Sequence, residues 1–391
     1  MRAYACCFMA GTTLAMIVWS LGSAVTLLLL LPMLWAAMAD RSSVWFGMFG
    51  YYLAGAHDVP VVVVAFFPDV GMIVGLLIWL LHAALLALCW SCLWIGRERS
   101  PRAVLVRFGL ICGLMLLPPP GSVHWLSPLL VAGELYPGCG CVGLAATFLL
   151  MALLILYVRN CSVIHLKVVT VLLLASIILN ARYVQPPPPE DWVAVNTEHG
   201  GFPADLAGRY QRHQQLIAAA RVRIDAGDKV IVFPEEVAGL WTAAGQYWWR
   251  DLDEYARRRG ASILLGVDVL IENKKFRDAL LLLGAQKGQI FSRQPIPLGL
   301  WRPWSEEGAV ADLWQWGTSE VHGKKVAFSF CYEDLLLWPL AISMSDKPDV
   351  VVSVANHWFA SEQMVHPDIQ RRSVTLMARL FGLPLIRATN R

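Results

Sequence analysis

From Ala3 to Ala39 the chain carries no Asp, Glu, Lys or Arg. One transmembrane helix needs about 20 mostly apolar residues, so this run is nearly two crossings long. Gly22-Ser23 is its weak point and the place for a tight turn. Further apolar segments follow at 45–67, 71–95, 103–119, 139–158 and 163–180, which makes seven expected spans. Asp58-Val59-Pro60 interrupts the third of them. Ala37-Met38-Ala39 resembles a signal-peptidase site, but the apolar core of a signal peptide is only about 7–15 residues long. Here more membrane segments follow.

The composition agrees: 57% of the 391 residues are hydrophobic and 16% charged, which is too apolar for a soluble protein of this length. The excess lies in the first 180 residues, and the remainder has ordinary soluble composition. Pro186–Pro189 marks the seam, since such a run continues neither a helix nor a central strand. The expected organisation is a membrane domain at 1–184 and a globular domain at 185–391, with the lipid bilayer as a partner. A net charge of +3 gives no footing for direct nucleic-acid binding.

Orientation follows from the arginines. Alternate connections carry Arg2, Arg41, then Arg97, Arg99 and Arg102, then Arg159; the intervening ones carry Asp69 and Glu134 and no Lys or Arg. The positive-inside rule then places the N-terminus in the cytoplasm and the chain after residue 185 on the opposite side. In a bacterium that is the periplasmic side of the inner membrane. A transport pathway needs ionisable groups within the spans, and His82 is the main one present.

Eight of the nine cysteines lie before residue 162, where thiols act as small apolar packing groups. Cys139 and Cys141 are too close in sequence for an unstrained disulfide. No Cys/His metal spacing is present, and no cofactor is expected. Cys331, at the end of "KKVAFSFCYEDLLL", is the only cysteine of the globular half.

That half alternates strands and helices. Strands are expected at 191–197, 229–236, 261–270, 278–284, 288–293, 324–331, 348–356 and 384–389, and helices at 204–226, 246–259, 333–344 and 367–380. This is an α/β pattern, in which chemistry gathers at the carboxyl ends of strands. Glu235, Cys331 and Asn356 lie at such ends. A thiol attacks acyl carbon once a base has taken its proton, and a carboxylate shielded from water serves as that base. Cys331 with Glu235 meets both demands; a packed core cysteine and a capping glutamate meet the same pattern.

"FPEE" at 233–236, "FCYEDLL" at 330–336 and the stretch from Val350 to Arg391 resemble the nitrilase (carbon–nitrogen hydrolase) superfamily. Spans ahead of the domain resemble its membrane-attached branch, similar to apolipoprotein N-acyltransferase and to members that serve plasmid conjugal transfer. The resemblance implies an αββα sandwich with a Glu-Lys-Cys triad. Glu235 becomes the general base, Cys331 the nucleophile that forms a thioester, and Glu333 a supporting acid. It also implies amide-bond or N-acyl-transfer chemistry on an acyl-lipid or lipoprotein substrate, with Trp301, Asn356 and Trp358 in substrate binding. Conjugation-machinery proteins are the implied partners, and a catalytically degenerate scaffold of that apparatus is the alternative.

The lysine is where the match breaks. Ungapped alignment of Pro297 and Gly299 puts Ser292 at its position, and a one-residue slip puts Arg293 there. Arg293 fits an oxyanion-holding role, since guanidinium stays charged, but it shuttles protons poorly. Lys287 lies five residues early, in a turn. A second acid expected after the glycine is Leu300. The family pattern continues past "RATN", so either the domain is C-terminally truncated, with an open sheet edge, or this branch closes its sheet differently. Trp301, Trp304, Trp314 and Trp316 crowd one loop, either as an apolar lid touching lipid or as ordinary packing. His357 is read as a stacked or exposed histidine.

Overall fold

The computed structural model describes residues 2–22, 24–96, 100–271, 274–362 and 364–391. Ser23, Arg97 and Arg99, on which the turn and orientation expectations draw, lie outside them. The chain divides into two compact units. A helical unit takes the residues up to Gln185 together with Leu335–Trp338 and Glu362–Gly382. A sheet unit takes Pro186–Asp334, Pro339–Ser361 and Leu383–Arg391.

The helical unit contains α1 (Arg2–Ala15), α2 (Leu30–Ala37), α3 (Arg41–Gly55), α4 (Val59–Phe66), α5 (Gly71–Leu93), α6 (Pro101–Leu116), α7 (Val131–Leu135), α8 (Gly140–Asn160) and α9 (Val163–Arg182). Four helices are long and apolar enough to cross a bilayer: Arg2–Ser20, α5, α8 and α9. A fifth crossing arises if α3 and α4, bent by 47° at the break before Asp58-Val59-Pro60, traverse together. Among the described residues, four or five segments thus have crossing length, where the apolar runs of the sequence lead to seven. Val25–Ala37 is apolar, but at 1.5 Å per residue it reaches only about 20 Å of a roughly 30 Å hydrocarbon core. Helix α6 has 16 residues and includes Arg102 and Arg107. Only 11% of the apolar window of α9 is buried, and its Ile164, Val171 and Ile177 point outward, the surface that lipid covers.

One helix of this unit comes from far along the sequence. Helix α13 (His366–Phe381) has its first N–H met by Asp58, whose carboxylate accepts from His366 at 2.9 Å. Arg372 donates to the Val18 carbonyl at 2.7 Å, and Arg379 to the Gly133 carbonyl and the Asn180 side chain. Gly133 permits the approach: a Cβ there would lie 2.0 Å from the Leu376 carbonyl oxygen.

The sheet unit is built from β1 (Trp192–Ala194), α10 (Leu206–Asp225), β2 (Val230–Val232), α11 (Ala243–Arg259), β3 (Ser262–Leu270), β4 (Lys275–Gly284), β5 (Gly288–Phe291), β6 (Gly308–Ala309), β7 (Thr318–Val321), β8 (Lys324–Phe330), β9 (Val350–Asn356) and β10 (Leu385–Asn390). Helix α12 (Leu337–Ser345) follows β8. Caps set the helix limits: Asp205 and Thr242 accept from backbone N–H groups at the starts of α10 and α11, and left-handed Gly260 stops α11. One sheet runs β1-β2-β3-β4-β5, with β6 beside β4, and the other β10-β9-β8-β7. The alternation of strand side chains sorts the apolar residues onto two faces. Ile231, Ile263 and Leu265 pack with α10 and α11, whereas Val230, Val232 and Leu264 join Phe328, Phe330, Val352 and Ile386 in one cluster fed by both sheets.

The sheet edge at β10 is covered at its C-terminal end. The chain leaves β1 and pairs with β10: Thr197 donates to the Thr389 carbonyl, Arg391 to Thr197, and Gly200 to Arg391. Residues 196–200 thus cover the C-terminal end of that edge, at Thr389–Arg391.

Candidate active site

Strand β8 sends Val326, Phe328 and Phe330 into the shared cluster, and Cys331 follows at its carboxyl end. Its φ is +33°, in the left-handed region. A non-glycine residue there costs about 1–3 kcal/mol and persists only where its surroundings hold it. A 3₁₀ turn, Cys331–Leu335, begins at this residue. Cys331 is only 9% exposed, and its thiol is in hydrogen-bond contact with the Glu235 carboxyl.

Glu235 lies just beyond β2, where Pro234-Glu235-Glu236 bulges over β3. Gly266 makes room: a Cβ there would sit 1.9 Å from the Pro234 carbonyl oxygen. Asp268, two residues further along β3, is on the same face, and Asp278 of β4 is its direct cross-strand partner. Two aspartates therefore project toward the bulge that carries two glutamates. Glu235 hydrogen-bonds Asp278, and Glu236 hydrogen-bonds Asp268 and the Asn356 side chain. The Asn356 N–H donates to Glu235 Oε2 at 3.1 Å. Burial, then the neighbouring Cys331 and Glu236, pushes Glu235 well above the usual carboxylate range. Burial and the surrounding carboxyls push Asp268 and Asp278 the same way.

Glu333, two residues past Cys331, has a different setting. It is fully buried, and its Oε1 accepts from Ser292 Oγ at 3.1 Å, from the Gln294 N–H at 3.0 Å and from the Arg293 N–H. Its Oε2 accepts from Arg293 Nε at 3.3 Å and Nη2 at 3.1 Å. The rest of the guanidinium donates to the Trp316, Pro339 and Phe328 carbonyls and to Ser343. Guanidinium has five N–H groups, and these partners use them all. Ser292 and Arg293, the two residues at the expected lysine position, both serve Glu333.

Of the remaining sequence-level candidates, Asn356 joins the Glu235 cluster. It also accepts from Asn390 Nδ2, whose own Oδ1 takes donors from Thr197 and His199. Trp301 is half-buried and held by backbone bonds within its loop, to Ile296 and Leu298. Trp358 is 37% exposed and lies beside Gly201. Trp304, Trp314 and Trp316 are exposed at 70%, 68% and 61%, which favours the lid over packing. His357 is buried, not exposed. Lys287 pairs with Asp253. Among the described residues no group of three or more His, Cys, Asp or Glu is placed to hold a metal ion.

Sequence reasoning missed Glu236, Asp268, Asp278 and Asn390. The signal for the aspartates was present: a charge inside each of two apolar strands, "LLGVDVL" and "RDALLLL". Only the register shows that the two face each other.

No family profile matches the chain. It is 30% identical to the conjugal transfer protein TraB of Agrobacterium fabrum, over 93% of this chain and 86% of that one. It is 24% identical to the apolipoprotein N-acyltransferase of Methylococcus capsulatus, over 52% of this chain and 43% of that one. Among solved structures, a mutant of a nitrilase-superfamily amidase from Nesterenkonia aligns with 52% of this chain and 78% of its own, at 13% identity and a TM-score of 0.38.

Proposed function

The chain belongs to the family of the conjugal transfer protein TraB, and we propose that it is a membrane-anchored enzyme of plasmid conjugation that carries an acyl group as a thioester on Cys331. The observation that carries this reading is the pairing of a strained, buried Cys331 with the carboxyl of Glu235. In it, Glu235 takes the thiol proton and the sulfur attacks the acyl carbonyl carbon. Glu235 then returns the proton to the departing group. An amine or water releases the acyl group in a second step of the same form. Burial lifts the base toward working pH.

We assign Arg293 to the support of Glu333, in place of the oxyanion-holding role its charge suggested, because none of its N–H groups is left over. Asn356, Trp301 and Trp358 are the proposed contacts of an acyl-lipid or lipoprotein substrate, and the exposed tryptophans its apolar approach. The two sheets with their shared cluster support an αββα arrangement. The Arg bias supports an inner-membrane protein with its sheet unit in the periplasm; that bias stays one-sided only if Val25–Ala37 and α6 also traverse.

A second reading is favoured by one feature. Guanidinium saturation at the lysine position suits a scaffold of the conjugation apparatus that has lost turnover. Intact mass of the detergent-purified protein after incubation with bacterial phospholipid separates the two. An adduct of acyl mass, released by hydroxylamine and absent from Cys331→Ala, is the expected result. Its absence, under conditions that label an authentic N-acyltransferase, overturns phospholipid-driven acyl transfer and moves the search to protein partners.

A further inference from the structure

We infer that Asp278 is a positioning residue of this site: as a neutral carboxylic acid it donates a hydrogen bond to the Glu235 carboxylate and so holds the base ionised beside the thiol. The inference rests on the reading of Glu235 as the base for Cys331. It begins from the register. Asp278 is fixed opposite Asp268, on the face over which Pro234-Glu235-Glu236 bulges at Gly266. Two carboxyl groups in contact cannot share a hydrogen bond unless one keeps its proton.

The donors present decide which one. Glu235 Oε2 accepts the Asn356 N–H at 3.1 Å, which favours its charged form. Asp278 is 5% exposed, and its Oδ1 has no hydrogen-bond partner among the described residues. A buried carboxylate without donors is the costlier ion, so the proton resides on Asp278. The groups that face the pair are Glu236 from the bulge, Asp268 from β3, and Cys331 and Glu333 from the turn after β8. Among the described residues no cation pairs with them directly, since Arg293 is spent on Glu333. The Asp278 carbonyl accepts the Ser292 N–H at 2.9 Å, so the neutral acid lies alongside the place where a lysine was expected.

The proton balance is simple. The S–H bond of Cys331 breaks and its proton passes to Glu235, while Asp278 keeps its own. When the leaving group takes the proton from Glu235, the carboxylate re-forms and accepts again from Asp278. Losing that donor therefore raises the pH at which Glu235 works.

The test is the rate of Cys331 alkylation by iodoacetamide in the full-length, detergent-purified chain, followed by peptide mass mapping from pH 5 to 9. Asp278→Ala and, nearer in volume, Asp278→Leu remove the donor; Asp278→Asn keeps one. The expected result is that Ala and Leu slow labelling about tenfold at pH 7 and move its midpoint up by about one unit. Asn stays within about threefold of the parent, because its amide still donates. Should Ala fail to fold, Leu decides. Equal slowing by Asn and Leu, or no slowing by any variant, overturns the inference. Glu235→Gln is the separate control: unchanged labelling there overturns the base assignment itself, whereas slow labelling there with an indifferent Asp278→Leu overturns only the role of Asp278.

Discussion

Two acidic centres flank the Cys331 turn, and they differ in their partners and in exposure: Glu333 is fully buried, whereas Glu235 and Glu236 are half-buried. Glu333 is a carboxylate with a fully buried guanidinium and three further donors, each oxygen satisfied. Glu235 shares its surroundings with Glu236, Asp268 and Asp278 and has one backbone N–H. The first is the solution a fold uses to make a buried charge tolerable. The second gathers four carboxyls, each held above the usual carboxylate range by burial, which structure alone does not require and proton transfer does. Burial by itself therefore identifies neither; the partners do.

The contrast breaks most forcefully at Arg293. Arg293→Met leaves Glu333 without its cation, and the expected loss is about 3–5 kcal/mol, read from thermal unfolding of the detergent-purified chain. A variant as stable as its parent would remove the structural half of the comparison.

Acid sharpens the other half. Burial holds Asp334 at about 6, against the pull of Arg387 and the Ser353 hydroxyl, and it raises Glu235, Asp268 and Asp278 as well. A carboxyl whose folded-state pKa exceeds its unfolded one stabilises the fold while protonated. That gain is complete below about pH 4 and gone once the pH rises past the folded value. Asp334 alone is worth about 2–3 kcal/mol across that window. The thermal midpoint is expected to rise as pH falls from 8 to 5.5, and a flat profile would count against it.

The smallest effect is at Glu236. Glu236→Gln removes one charge from the crowded cluster but keeps its contacts with Asp268 and Asn356 feasible. A gain of about 1 kcal/mol is expected, with Cys331 labelling within about threefold of the parent. A large loss of labelling would make Glu236, not Asp278, the neighbour that governs the base.

Much of this was legible in the sequence. The order of the main strands and helices of the sheet unit followed from their alternation, though not β6, β7 or the 3₁₀ turn at Cys331, and "FPEE" and "FCYED" marked Glu235, Cys331 and Glu333. The role of Arg293 was not legible, because its partners come from Phe328, Glu333, Pro339 and Ser343, which only folding assembles. Asp278 needed the β3–β4 register. Apolar composition alone does not mark helix ends, so it did not show that the helix within 25–37 is as short as Val25–Ala37.

Helix α13 belongs to the helical unit, although β9 and β10, its neighbours in sequence, belong to the sheet unit. This sets a timetable for synthesis. The first 185 residues leave the ribosome early, yet the helical unit lacks Asp58's and Gly133's partners until residues 366–379 have been made. At roughly 5–20 residues per second that delay is on the order of ten seconds or more. Through that interval the nascent chain holds an unfinished bundle and an unfinished sheet together, so any factor that guards it must attend to both at once.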